Sequence, residues 1–196
     1  MFFGQPFGGI IPGVHGAALT ALLRTGEPLT GRQIHRLLGG NHSLWSVQQA
    51  LKSLVKLGLV AAKPVGRAVV HSVNEEHCAI RPLREMLDPL TMLAQAVRQE
   101  VDDRVKAVLV FGSIATGKAD ADSDVDLAVI AEAGWDGRSS LNAAVQRRLG
   151  NACDVLFFTQ DEFRALAAKG EPVVSDIMSD SFAIIGEKPV LKGDSR

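Results

Sequence analysis

Two stretches decide the reading: Val105-Lys106-Ala107-Val108-Leu109-Val110-Phe111-Gly112-Ser113-Ile114-Ala115-Thr116-Gly117-Lys118, and then Ser123-Asp124-Val125-Asp126-Leu127-Ala128-Val129-Ile130. Val105 to Phe111 is a nearly continuous apolar run with three valines, the composition of a buried strand. A second strand begins at Asp124. Positions 124 and 126 are two apart, so both carboxylates point the same way while Val125, Leu127 and Val129 point into a core. Neighbouring carboxylates repel, and holding them together is costly unless cations compensate. Magnesium, which favours carboxylate and phosphate oxygens, is the natural compensation. Upstream, Gly112 permits close backbone approach, and Ser113 offers a hydroxyl and an N–H at a helix start, an anion site suited to a triphosphate. A phosphate cradle beside a carboxylate pair is the equipment of phosphoryl or nucleotidyl transfer.

Three other readings compete for the same residues. Gly112-x-x-x-x-Gly117-Lys118 matches most of a P-loop, but Ala119 stands where the magnesium-binding Ser or Thr is required, and Asp120–Asp126 leaves no room for the helix that must follow. Asp120, Asp122 and Asp124 suggest a calcium loop, yet Val125 takes its glycine position and Ala131 its bidentate glutamate position. A merely solvated acidic strand end leaves the preceding Gly-Ser unexplained.

Gly112-Ser113, ten intervening residues and Asp124-Val125-Asp126-Leu127 resemble the signature of the DNA polymerase β nucleotidyltransferase superfamily, in particular its small minimal (MNT-like) branch. Downstream, Arg138–Leu149 reads as a helix with Leu141, Val145 and Leu149 aligned. Cys153-Asp154-Val155-Leu156-Phe157-Phe158 reads as a strand with an acid at its start, where the family places its third carboxylate. Thr159 and Glu162 fit a capping box. Val173–Met178 and Ser181–Ile185 resemble the closing helix and strand. The resemblance spans residues 90–190. It implies a mixed sheet on which Asp124, Asp126 and Asp154 hold Mg2+, with Gly112 and Ser113 on the β- and γ-phosphates. Asp154 would take the proton of an acceptor hydroxyl. Thr116 stands where many small members carry arginine, which leaves Lys118 as the substitute grip on the triphosphate.

The front of the chain has a different character. Ala17 to Leu23 reads as a short helix. Thr30 and Gln33 form a second capping box, before the stripe Ile34, Leu37, Leu38. Ser43 can cap a third helix in which Val47, Leu51, Leu54 and Val55 face inward and Gly58 stops the chain. Leu59–Ala62 and Ala68–Val73 then read as a hairpin with Lys63-Pro64-Val65-Gly66-Arg67 as a basic tip. Over residues 14–78 this order resembles the winged helix-turn-helix domains of bacterial transcription regulators. The resemblance makes the third helix the recognition helix, with Trp45, Gln48, Gln49, Lys52 and Lys56 outward and Arg67 at the hairpin tip reaching flanking double-stranded DNA.

The charge balance agrees with two modules. Residues 1–78 hold seven basic and three acidic side chains, and residues 101–196 hold 11 and 16. Such a split suggests separate partners. Two cysteines are too few for a disulfide framework. Glycines and prolines interrupt the uncharged residues 1–23, and no span of about 20 apolar residues follows, so a membrane segment is not expected and a cytoplasmic protein is. The expected layout is α+β: a flexible arm at 1–13, the winged helix at 14–78, a helical connector at 79–101 bent or broken at Pro89, and a minimal nucleotidyltransferase domain at 102–196.

The resulting expectation is a Mg2+-dependent enzyme that moves a nucleotide, AMP from ATP, to a hydroxyl of a protein acceptor such as a cognate toxin. It would also bind DNA, as an autoregulating antitoxin does, and form a homodimer. The alternatives are a regulator whose back domain only senses nucleotide, and a docking adaptor that brings the transferase to its target.

Overall fold

A computed structural model describes residues 1–120 and 122–190; positions 191–196 of the expected last domain lie outside the described residues. The chain divides into two compact units, one formed by Gln5–Pro89, the other by Met1–Gly4 together with the chain from Leu90 onward. Among the described residues no helix is long and apolar enough to cross a membrane.

In the Gln5–Pro89 unit, a single 3-10 turn at Pro6–Gly9 precedes α1 (Gly13–Thr25), β1 (Leu29–Thr30), α2 (Gly31–Leu37) and α3 (Leu44–Lys56). The Thr30 hydroxyl accepts from the Gln33 backbone N–H, and the Gln33 side chain accepts from the Thr30 N–H, so the capping box forms. Ser43 caps α3 by accepting from the Ser46 N–H at 3.1 Å. Val47, Ala50, Leu51 and Leu54 of α3 are buried with Leu19 and Leu22 of α1 and Ile34 of α2. Strands β2 (Val60–Val65) and β3 (Ala68–Val73) pair antiparallel, and β1 adds to the far side of β3, giving the order β1-β3-β2.

Two expectations for this half are corrected. The hairpin tip is only Gly66-Arg67, because β2 continues through Lys63-Pro64-Val65; Pro64 is tolerated there since β2 is an edge strand that needs no donor on its outer side. Residues 1–13 are not a free arm. Phe7 is fully buried among Leu19, Leu22 and their neighbours, and Met1 and Phe3 pack on the core of the other unit. Truncating so completely buried an aromatic costs about 3–5 kcal/mol, so the apolar start of the chain is core rather than tether. The stretch 79–101 is helical and breaks at Pro89, where the sequence puts the bend or break. It forms α4 (Ile80–Glu85) and α5 (Pro89–Arg98), with Pro89 opening the second helix, where its missing N–H is not needed. Ile80 joins the core of the first unit, while Leu93 and Val97 join that of the second.

The second unit is built on β4 (Val105–Phe111), β5 (Val125–Ala131), β6 (Cys153–Phe158) and β7 (Phe182–Ile185), ordered β6-β5-β4-β7. The β4–β5 and β4–β7 pairs are antiparallel and β5–β6 is parallel, so the sheet is mixed. A parallel pair needs a crossover, supplied by α7 (Arg138–Leu149). After β4 comes the single turn α6 (Gly112–Ala115), and after β6 come α8 (Gln160–Ala168) and α9 (Pro172–Ser179). One face of the sheet buries Val108, Val110, Leu127, Val129 and Val155 with Leu93, Leu141 and Val145. The other buries Leu109, Ala128 and Ile130 under Phe163 of α8 and Val174 and Ile177 of α9. Both faces of β5 are therefore covered, except where it begins.

Candidate functional site

Period-two alternation in β5 puts Asp126 on the same face as Ala128 and Ile130, and Asp124 stands just before the strand. At the start of the strand a carboxylate takes the place of the apolar side chains farther along. Asp126 is half-buried and Asp124 exposed. Asp126 lies opposite Phe111 of β4 on one side and beside Asp154 of β6 on the other. Asp126 and Asp154 are thus neighbours on adjacent parallel strands, and Asp124 directly precedes β5.

Their mutual influence is electrostatic and visible. The Asp126 carboxyl is pushed above the usual aspartate range, first by burial and then by the charges of Asp154 and Asp124. The same causes push the Cys153 thiol up to about 12. Cys153 is buried, so it is a packing residue and not a nucleophile.

Gly112 occupies the other wall. Its φ is +68°, a conformation only glycine adopts at little cost. An added Cβ would stand 2.1 Å from Asp126 Oδ2 and 3.0 Å from its Cγ. The backbone at the β4–α6 junction therefore approaches the most buried carboxylate as closely as it can without a side chain. Ser113 follows at the first turn of α6 and is half-buried. Asp126 carries a destabilised negative charge beside two further acids, an oxygen-rich donor set that fits a divalent cation of the magnesium class. Among the described residues, no three His, Cys, Asp or Glu side chains are already close enough together to hold a metal ion.

The remaining expected residues are placed less uniformly. Thr116 donates its hydroxyl to the Gly112 and Ser113 carbonyls at 3.0 and 3.3 Å, so it closes the turn of α6 rather than extending from it. The Lys118 backbone N–H is fixed on Ser113 O at 2.9 Å, while its side chain is exposed. The loop between α6 and β5 is braced by Asp120 and Ser123: the Asp120 N–H donates to Ser123 Oγ, which donates back to Asp120 Oδ1.

Asn151 has no role in the sequence reading, yet it is 5% exposed, and its Nδ2 donates to Ser123 O, next to Asp124. Its Oδ1 accepts from the Met1 amine at 2.7 Å. A polar residue directly after the helix-ending Gly150 looks like turn chemistry, and nothing in the pattern marks it as buried.

In the first unit, Trp45, Gln48, Lys52 and Lys56 of α3 and Arg67 of the hairpin turn are exposed, and Gln49 is half-buried on the flank of the helix. Gln48, Lys52 and Arg67 line one cavity together with Arg32 of α2, a residue the sequence reading passed over.

A comparison with curated proteins finds no match. Several solved structures are similar to the chain, among them three at low identity. One is a toxin-antitoxin with AMP-PNP, 16% identical over 50% of this chain and 74% of that chain, with TM-score 0.39. Another is a mutant of the toxin-antitoxin MntA-HpeT, at 14%, 50%, 74% and 0.38. The third is tri-AMPylated Shewanella oneidensis HEPN toxin in complex with MNT antitoxin, at 15%, 50%, 69% and 0.34. Residues 94–175, which run from α5 into α9 and include Gly112, Ser113 and all three acids, match the model of the family Polymerase beta, Nucleotidyltransferase.

Proposed function

We propose that the second unit is an active Mg2+-dependent nucleotidyltransferase that transfers AMP from ATP to a hydroxyl of a protein acceptor. The observation that carries this reading is the close packing of Gly112 against Asp126, in a strand register that sets Asp126 beside Asp154. Asp124, Asp126 and Asp154 would hold Mg2+, which when bound neutralises the triphosphate and the crowded acids. Gly112 and Ser113 hold the β- and γ-phosphates at the mouth of α6, and Lys118 supplies the positive charge that Thr116 does not. Asp154, exposed like Asp124, takes the acceptor hydroxyl's proton. The freed oxygen then bonds to the α-phosphorus, the α–β bridging P–O bond breaks, and pyrophosphate leaves.

The protein acceptor follows from the resemblance to minimal nucleotidyltransferases. In the same reading the first unit is a winged helix that binds duplex DNA through Trp45, Gln48, Gln49, Lys52, Lys56 and Arg67. Three helices, a two-residue hairpin turn and exposed cations on α3 support it. A cytoplasmic, homodimeric protein of the antitoxin type, repressing its own operon, completes the proposal.

The test is incubation of the purified chain with Mg2+, ATP labelled at the α-phosphate and a cell lysate. Label should enter a protein, and with ATP labelled at the γ-phosphate the chain should add nothing to what the lysate alone transfers. Replacing Asp124 and Asp126 by Ala should abolish transfer. A double variant that labels protein as well as the parent would overturn the assignment. Binding of ATP without transfer under any condition would leave the nucleotide-sensing regulator as the function.

A further inference from the structure

Within the Gln5–Pro89 unit an open cavity of about 800 Å3 lies between α2 and α3 on one side and the β2–β3 hairpin on the other. Part of its wall is apolar: Leu51 and Val55 come from α3, Ala62 from β2, and Val69 from β3. Val69 is 46% exposed, so the hairpin wall is uncovered. Arg32, Lys52 and Arg67 also line the cavity, and no aspartate or glutamate does. Among the described residues none of these three cations makes an ion pair. Burial holds the His71 imidazole below its ordinary pKa, so it offers the wall a ring rather than a further charge.

We propose that this cavity binds a small organic anion with a flat apolar body and a carboxylate, sulfonate or phosphate at one edge. Each half of that ligand answers a separate observation. An apolar recess of this size falls within the range of drug-sized ligand sites, about 300–1,000 Å3. Three exposed cations with no acid among the lining residues complement a negative partner, and Arg provides a planar fork for an oxyanion. A phosphodiester backbone alone would satisfy the cations and leave the Leu51, Val55, Ala62 and Val69 surface without a partner. The site does not depend on the DNA reading. Where both hold, Gln48, Lys52 and Arg67 are shared, so a filled cavity and a bound duplex exclude each other.

The full chain is titrated with 8-anilino-1-naphthalenesulfonate, followed by its fluorescence, and in parallel with uncharged N-phenyl-1-naphthylamine. The sulfonate should saturate a single site. Arg32→Ala combined with Arg67→Ala should weaken it at least tenfold and leave the neutral probe within twofold. Ala62→Trp, which fills the recess and keeps every cation, should abolish both, with unchanged circular dichroism showing that each variant is folded. Equal sulfonate affinity in the parent and both folded variants would overturn the proposal. So would loss of duplex binding alone in the arginine variant, since the cations would then serve DNA only.

Discussion

Gly112 and Asp126 meet across β4 and β5 so closely that a single methyl group on the glycine would overlap the aspartate's Oδ2 at 2.1 Å. Gly112→Ala therefore brings two penalties, a positive φ on a residue with a Cβ and a displaced carboxylate. The expected loss is about 1–3 kcal/mol of stability by urea unfolding, with at least a tenfold loss of nucleotide transfer. Asp126→Ala should cost less stability in the Gly112→Ala background than in the parent, because the colliding oxygen is gone. Additive costs would show that the contact is relaxed.

The acids should tell against the fold and for the chemistry. Asp126 holds its proton to higher pH in the native state than in the unfolded chain. Its contribution to stability is therefore full below the ordinary aspartate value of 3.8 and is lost as pH rises past it through the raised native value. Asp126→Asn should leave the melting temperature at pH 7 unchanged or higher while transfer disappears. Mg2+ with ATP should raise the melting temperature of the parent, and removing the metal with a chelator should reverse the gain. Asp124→Asn combined with Asp126→Asn should show no gain.

Asn151 should behave as a structural brace for the start of β5. Asn151→Ala removes its bond to the Ser123 carbonyl in a buried setting, for an expected cost of about 1–3 kcal/mol in chemical denaturation. The strand entry that carries Asp124 loosens with it, so faster amide exchange is expected at Asp124 and Val125 than in β7.

Acid sensitivity, the opposite trend, has a source in α8. Thr159 and Glu162 form a reciprocal cap, and the backbone and hydroxyl donors of Thr159 hold the Glu162 carboxyl below its ordinary range. Its contribution is present above that ordinary range and is lost as pH falls through the lowered native value. Glu162→Gln keeps a cap acceptor and should flatten the acid limb of the melting curve. Thr159→Ala should cost about 0.5–2 kcal/mol at every pH above that limb.

Local signals were read well wherever one residue carries the physics. The boundaries of α7 and β6 fall where Gly150, the Leu141–Val145–Leu149 stripe and the Cys153–Phe158 run put them. Both Thr-initiated caps formed because donor and acceptor lie within one helical turn. The pairing of Asp126 with Asp154 was legible only as a family resemblance, since strand register is set by crossover packing that no short window contains. What escaped was non-local. Phe7 looks like part of a glycine-rich tail until α1 is present to cover it, and the two-residue strand β1 exists only because β3 lies beside it. Arg32 sits on a helix with no apolar reason to be noticed, and its cavity is made by residues up to 39 positions away.

The parallel alignment of β5 with β6 makes a ruler of the backbone. Asp126 and Asp154 are 28 positions apart in the chain, yet their spacing is fixed by neighbouring rungs of one ladder. Extra residues added before Cys153, in the bend after α7, would be absorbed by the loop. One residue added within β6 ahead of Asp154 would turn that acid through the sheet into the hydrocarbon on its far side. Length variation among relatives should accordingly gather in the bends and avoid the rungs, because an insertion in a rung inverts the buried Cys153 and Val155 positions together with the acid and so loosens the sheet.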